Sequence, residues 1–222
     1  SSYIPSYLAS KACGYDRPVV MFLDIQEEPP AFSSLSTEGK GQLFRWLAGE
    51  AYASGCFYAL HHRFSLWAGP VDELAEIGQF IKGNPQLFRN TKPYANVYLA
   101  YSFASNIYDM FPKWWGRKDA PDHSKNYDVL GNLLLERGVQ FAGLFLGEGR
   151  AFPDDIATSE KGAFSKLSAR DFPFIIVPSA YALSDKNVNL LRDYARGGGK
   201  LIILGECGER DEKYQKREET VW

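Results

Sequence analysis

The sequence predicts an α/β protein whose second half is an open, doubly wound parallel sheet, and three observations predict it. Apolar runs of strand length recur at residues 96–101, 139–146, 172–178 and 200–205. Such runs, with no polar alternation, suit strands buried on both faces, as in a parallel sheet. Helically spaced segments lie between them, and the order strand–helix–strand–strand–helix–strand asks for helices on both faces of one Rossmann-like sheet.

The elements follow in order. Residues 4–14 read as a short helix. Residues 18–25 (PVVMFLDI) form an apolar strand closed by Asp24 and then by acids and prolines. Residues 40–54 return to helical spacing, with Leu43, Leu47 and Ala51 on one face and Gly55 at the stop. Residues 56–62 (CFYALHH) read as a second buried strand that ends in His61, His62 and Arg63. Pro70 opens a long helix at the position where its missing N–H costs nothing. Asp72 and Glu73 complement the dipole there. Val71, Leu74, Ile77, Phe80 and Ile81 supply its apolar face, and Asn84-Pro85 interrupts it.

The second run begins with the strand at 96–101. Residues 102–123 hold Phe111, Trp114 and Trp115 beside Lys113, Arg117 and Lys118. This stretch is long for a βα connection and reads as a loop offering a contact surface. Residues 124–137 predict a helix with Tyr127, Leu130, Leu133 and Leu134 inward, stopped by Gly138. Strands follow at 139–146 and 172–178. Ser184 caps a helix ending at Arg196, with Val188, Leu191 and Ala195 on its buried face. Glycines 197–199 turn the chain into the strand at 200–205. The closing stretch GERDEKYQKREE predicts a solvated helix or a loose tail.

Composition narrows the function. The chain has 222 residues, 45% hydrophobic and 23% charged, which is globular and not disordered. Its net charge of -2 and the lack of a basic stripe argue against nucleic acid and anionic membranes as partners. No apolar run approaches a bilayer span. Aromatics reach 15%, which suits a Phe- and Tyr-rich core before it suits a sugar-contacting surface. Cys13, Cys56 and Cys207 are scattered and odd in number, so neither a disulfide framework nor a zinc site is expected. Reduced thiols point to the cytoplasm. The chain opens on Ser1, so a leader or an upstream domain is expected before it.

Four groups carry possible chemistry. Asp24, Glu27 and Glu28 follow a strand, where barrel enzymes keep catalytic acids. Glycosidic cleavage needs two carboxylates flanking the bond, and one acidic turn is not yet that pair. His61 and His62 end the second strand, but adjacent strand residues point to opposite faces. Trp67 beyond them is placed either to stack on a sugar or to pack at a domain junction. The glycines 197–199 follow a helix, the reverse of a phosphate cradle, and residues 204–209 lack GxGxxG spacing, so nucleotide binding is rejected. Ser179 and Cys207 each follow a strand. Neither has an elbow's paired glycines, and with three histidines in the chain a base for either is hard to supply.

Residues 173–205, PFIIVPSAYALSDKNVNLLRDYARGGGKLIILG, resemble the middle domain of glycoside hydrolase family 42 β-galactosidases and related barrel hydrolases. The matching features are Val177-Pro178-Ser179 after a strand, the Leu183-Ser184 helix start, Tyr194 and Gly197–Gly199. Upstream, RPVVMFLDIQE and ASGCFYALHHRF resemble strands seven and eight of the family's catalytic barrel. The resemblance implies the end of a (β/α)8 barrel over 1–68, a connecting helix over 69–91 and a class I glutamine amidotransferase-like domain over 92–222. It implies hydrolysis of glycosidic bonds on a carbohydrate substrate, no cofactor or metal, and homo-oligomer assembly through the α/β domain. Strand seven carries the family's nucleophile in a setting like FxLxEQ. Here Asp24 stands nearest that position, with Glu27 three residues on, while His61, His62 and Trp67 fall near the sugar. The family's acid/base, on strand four, has no counterpart in the chain. The alternative is a non-catalytic assembly or interaction module; an amidotransferase-like hydrolase using Cys207 ranks last.

Overall fold

The computed structural model describes residues 4–13, 19–23, 35–60, 71–88, 94–114, 122–147, 156–158, 162–164 and 166–222. The chain divides into two compact units, one of Ser1–Asp16 with Pro93–Trp222 and one of Arg17–Lys92. The expected limits at 68/69 and 91/92 group the elements differently, because the first helix packs with the C-terminal sheet.

In chain order the elements are α1 (Ile4–Cys13), β1 (Val20–Leu23), α2 (Thr37–Ala53), β2 (Phe57–Leu60) and α3 (Val71–Gly83), then a 3-10 turn at Pro85–Leu87. There follow β3 (Val97–Ser102), α4 (Phe103–Trp114), α5 (His123–Glu136), β4 (Phe141–Leu146), β5 (Ile156–Thr158) and β6 (Gly162–Phe164). The chain continues through β7 (Phe174–Pro178), α6 (Asp185–Arg196) and β8 (Lys200–Leu204).

In the Arg17–Lys92 unit, β1 and β2 pair in parallel, in register from Val20 with Phe57 to Leu23 with Leu60. Ser36 caps α2 by accepting a bond from the Gly39 amide at 3.1 Å. Gly55 closes that helix at φ 75°, a value glycine takes without strain. Leu47 and Ala51 are buried as the spacing predicts, Leu43 is only partly buried, and Phe44 is fully buried beside them. Arg45 on α2 pairs with Glu76 on α3 at 2.6 Å, an exposed contact that contributes little to stability.

The larger unit holds the Rossmann-like sheet, with order β6-β5-β4-β3-β7-β8. The run β4-β3-β7-β8 is parallel. Strands β5 and β6 were not expected from the sequence; they add an antiparallel edge, so the sheet is mixed.

Alternate residues of β3 build two cores, which is the physical content of a doubly wound sheet. Tyr98 and Ala100 join Leu144, Ile175, Val177, Leu191 and Tyr194 under α6. Leu99 joins Leu8, Tyr127, Phe141 and Ile176 under α1 and α5. Close approach of α1 requires Gly143: a Cβ there would lie 2.5 Å from the Leu8 carbonyl oxygen.

Several expectations change. Residues 103–114 are helix α4, not loop. Phe103, Ile107, Met110, Phe111 and Trp114 recur at spacings of three and four, a period obscured by Pro112 and the dense aromatics. On α5 Tyr127 is buried but Leu133 is exposed, and on α6 Tyr194 is buried in place of Ala195. The charged end is neither helix nor loose. Arg210 bridges to Ala182 and Lys216, Tyr214 stacks on Tyr108 with centroids 4.3 Å apart, and the Trp222 indole donates to the Cys207 carbonyl at 2.6 Å.

Candidate functional site

The polar groups of the larger unit converge where its strand order reverses. Strand β3 continues to β4 on one side and meets β7 on the other, and open α/β sheets hold ligands outside such strand ends. Pairing between β3 and β7 stops at Leu99 with Ile176, although the strands run on to Ser102 and Pro178. Past that point the two backbones lack a ladder, and their polar groups need other partners.

His123, the first residue of α5 and fully buried, supplies them. The Ser102 amide donates to its Nε2 at 2.8 Å, and its Nδ1 lies 2.8 Å from the Pro178 carbonyl oxygen. An amide can only donate and a carbonyl only accept. The proton therefore sits on Nδ1 and the ring is neutral. Burial lowers the His123 pKa to about 4. The Ser102 N–H facing Nε2 opposes a second proton in the same sense.

Around this bridge the side chains hold backbone. Ser102 Oγ accepts from the Ser105 amide at 3.2 Å and donates to the Ala182 carbonyl at 2.8 Å. Ser105 Oγ accepts from the Ala182 amide at 3.0 Å. Asp109 on α4 reaches the start of α5, where its Oδ2 accepts from the His123 amide at 2.5 Å and the Ser124 amide at 3.3 Å. Both bonds satisfy orphan donors at the helix N-terminus. The Tyr181 hydroxyl lies 2.9 Å from Asp109 Oδ1 and 2.9 Å from the Ser105 carbonyl. One phenolic proton cannot serve two acceptors fully, so a proton on Asp109 completes the set. Burial pushes the Asp109 carboxyl up to about 6, even against its hydrogen bonds.

Ser179 follows β7 with φ 45°, an uncommon backbone state for a non-glycine residue. Its Oγ accepts from the Asn126 amide group at 2.9 Å. The neighbouring imidazole has both nitrogens bonded to backbone and is no base for this hydroxyl. Cys207 is buried, and burial pushes its thiol up to about 12, which disfavours the thiolate that a Cys207 nucleophile would need. Burial does this, and not the neighbouring acids.

Asp24, Glu27, His61, His62 and Trp67 lie outside the described residues. So does Glu28. The strand ends that precede Asp24 and His61 are described: Leu23 and Leu60 are register partners in parallel strands. Among the described residues no cluster of three or more His, Cys, Asp or Glu side chains suits a metal ion. None of the described helices is long and apolar enough to cross a membrane.

The sequence reading missed the network of Ser105, Asp109, His123 and Tyr181. Its legible signal was serines three apart just after an apolar strand, a capping pattern. The convergence of β3, β7 and α5 on one imidazole has no local signature.

No family model matches the chain. No curated protein matches it either. Among solved structures it is similar to a beta-galactosidase from Bifidobacterium adolescentis, with a TM-score of 0.40 and 16% identity, covering 55% of this chain. The match spans 47% of that enzyme's length, so the chain corresponds to under half of it.

Proposed function

We propose that this chain is part of a glycoside-hydrolase-like protein in which the α/β unit serves structure or oligomerisation and the chemistry belongs to residues 17–92. The observation that carries the structural role is the double backbone engagement of His123. The described histidine at the point where the strand order reverses has no nitrogen free for proton transfer, and Asp109 beside it caps a helix. The resemblance of residues 17–27 and 53–64 to barrel strands seven and eight supports the catalytic half, and the Leu23–Leu60 register agrees with adjacent parallel strands. In this reading Asp24, or Glu27, is the nucleophile. His61, His62 and Trp67 contact the sugar, and the acid/base comes from elsewhere in the protein. The edge strand β8, with Ile202 43% and Leu204 42% exposed, favours an assembly role for the α/β unit.

The test uses the full-length protein and a panel of aryl glycosides. Asp24→Ala or Glu27→Ala is expected to lower kcat by about a hundredfold or more, while Ser179→Ala and Cys207→Ser leave turnover of the folded protein unchanged. Wild-type turnover that survives both acid replacements would sink the catalytic half, as would a wild type inert to every glycoside. The assembly module then remains.

A further inference from the structure

Between α1 and the C-terminal ends of β3 and β4 lies a cavity of about 360 Å3. That volume suits a small organic molecule. Tyr101, Phe103 and Phe145 wall it, and Asp128 of α5 presents a half-buried carboxylate to it. One carboxylate oxygen accepts from Ser6 Oγ at 2.9 Å. Among the described residues Asp128 has no ion-pair partner, and no Lys, Arg or His lines the cavity.

We propose that this cavity binds a small organic ammonium ion, with its nitrogen on Asp128 and its carbon skeleton against Tyr101, Phe103 and Phe145. A half-buried carboxylate without a counter-ion is costly, and a cation removes that cost. Aromatic faces attract cations as well as apolar groups. An anion would meet Asp128 with no positive side chain among the described lining residues to offset it. A neutral polyol would leave the carboxylate uncompensated. Ser10, also in the lining, carries a hydroxyl that suits a remaining N–H donor of a primary amine. Burial raises the Asp128 carboxyl above its ordinary value, and a bound ammonium would bring it down again. The inference does not depend on whether any glycosidic bond is cleaved.

The experiment is calorimetric titration of the chain with 2-phenylethylammonium, 2-phenylethanol and 3-phenylpropanoate at fixed ionic strength. The ammonium is expected to bind about tenfold or more tighter than the alcohol, and the propanoate weaker still. Asp128→Asn retains the Ser6 bond and is expected to bring the ammonium down to the alcohol. A second measurement needs no variant, since the Cys13 thiol lines the cavity. Its modification by an aminoethyl methanethiosulfonate, read by mass of the Cys13 peptide, should outrun that by the sulfonatoethyl reagent about tenfold beyond the ratio for free cysteine. Added 2-phenylethylammonium should slow it. Equal affinity for ammonium and alcohol, an unchanged Asp128→Asn protein, or a charge ratio at Cys13 equal to free cysteine would each overturn the proposal.

Discussion

Replacing Asp109 with asparagine should leave the fold at least as stable near pH 8 and change how stability follows pH. The residue is 2% exposed, and burial moves its carboxyl from 3.8 to about 6. A carboxyl raised in this way holds its proton more tightly in the fold than in the unfolded chain. Its contribution is therefore full below pH 3.8 and is lost as pH rises through about 6. At about 1.4 kcal/mol per tenfold change in ionisation constant, the loss is roughly 3 kcal/mol. His123 works in the opposite sense. Its pKa falls from 6.5 to about 4, so its contribution is full above 6.5 and is lost as pH drops through about 4. That loss is also roughly 3 kcal/mol, and between pH 4 and 6 the two slopes oppose each other.

Asparagine keeps the geometry. Its oxygen accepts from the His123 and Ser124 amides, and its NH2 donates to the Tyr181 hydroxyl, which is then free to donate to Ser105. The His123 slope is left unopposed. Relative to wild type, Asp109→Asn should lose roughly 3 kcal/mol between pH 7 and pH 4, whatever other groups titrate in common. Urea unfolding followed by circular dichroism across pH 4–8 measures the difference directly. Asp109→Ala is the contrast: it leaves the His123 and Ser124 amides without their acceptor, while the Tyr181 phenol keeps the Ser105 carbonyl, and should cost about 3 kcal/mol even at pH 8. Parallel stability curves for wild type and Asp109→Asn would refute the reasoning. So would an asparagine variant as damaged as the alanine one at pH 8.

Two further outcomes follow from the same packing. Gly143→Ala puts a methyl carbon 2.5 Å from the Leu8 carbonyl oxygen, against helix backbone that cannot rotate away. It should cost about 1–3 kcal/mol in urea unfolding and speed hydrogen exchange in α1, whereas unchanged exchange there would mean that α1 does not rest on β4. Tyr127 is fully buried with a hydroxyl that has no hydrogen-bond partner among the described residues. Tyr127→Phe should therefore be neutral or more stable by about 1 kcal/mol, and a clear drop in melting temperature would reveal a partner for that oxygen.

Much of the fold was legible in local text. Ser184 reads as a cap and accepts from the Asn187 amide at 3.2 Å. Gly138 reads as a helix stop and takes φ 69°. These signals act within a few residues, through backbone geometry and unsatisfied helix ends. Helix α4 was missed because Pro112 and the dense aromatics obscured its apolar period. Strands β5 and β6 were missed because three residues each is too short for a period to register.

The sequence by itself determined that this is an α/β protein with an apolar sheet wound on both faces, since apolar runs, caps and glycine stops are local properties. Only the tertiary structure decided that α1 belongs to the C-terminal unit, resting on Gly143 from far away in sequence. It also decided that β3 and β7 part after Leu99, leaving a carbonyl and an amide for His123 to join. The physical reason is the same in both cases: a close approach or a shared hydrogen bond depends on which distant backbone arrives at the other side.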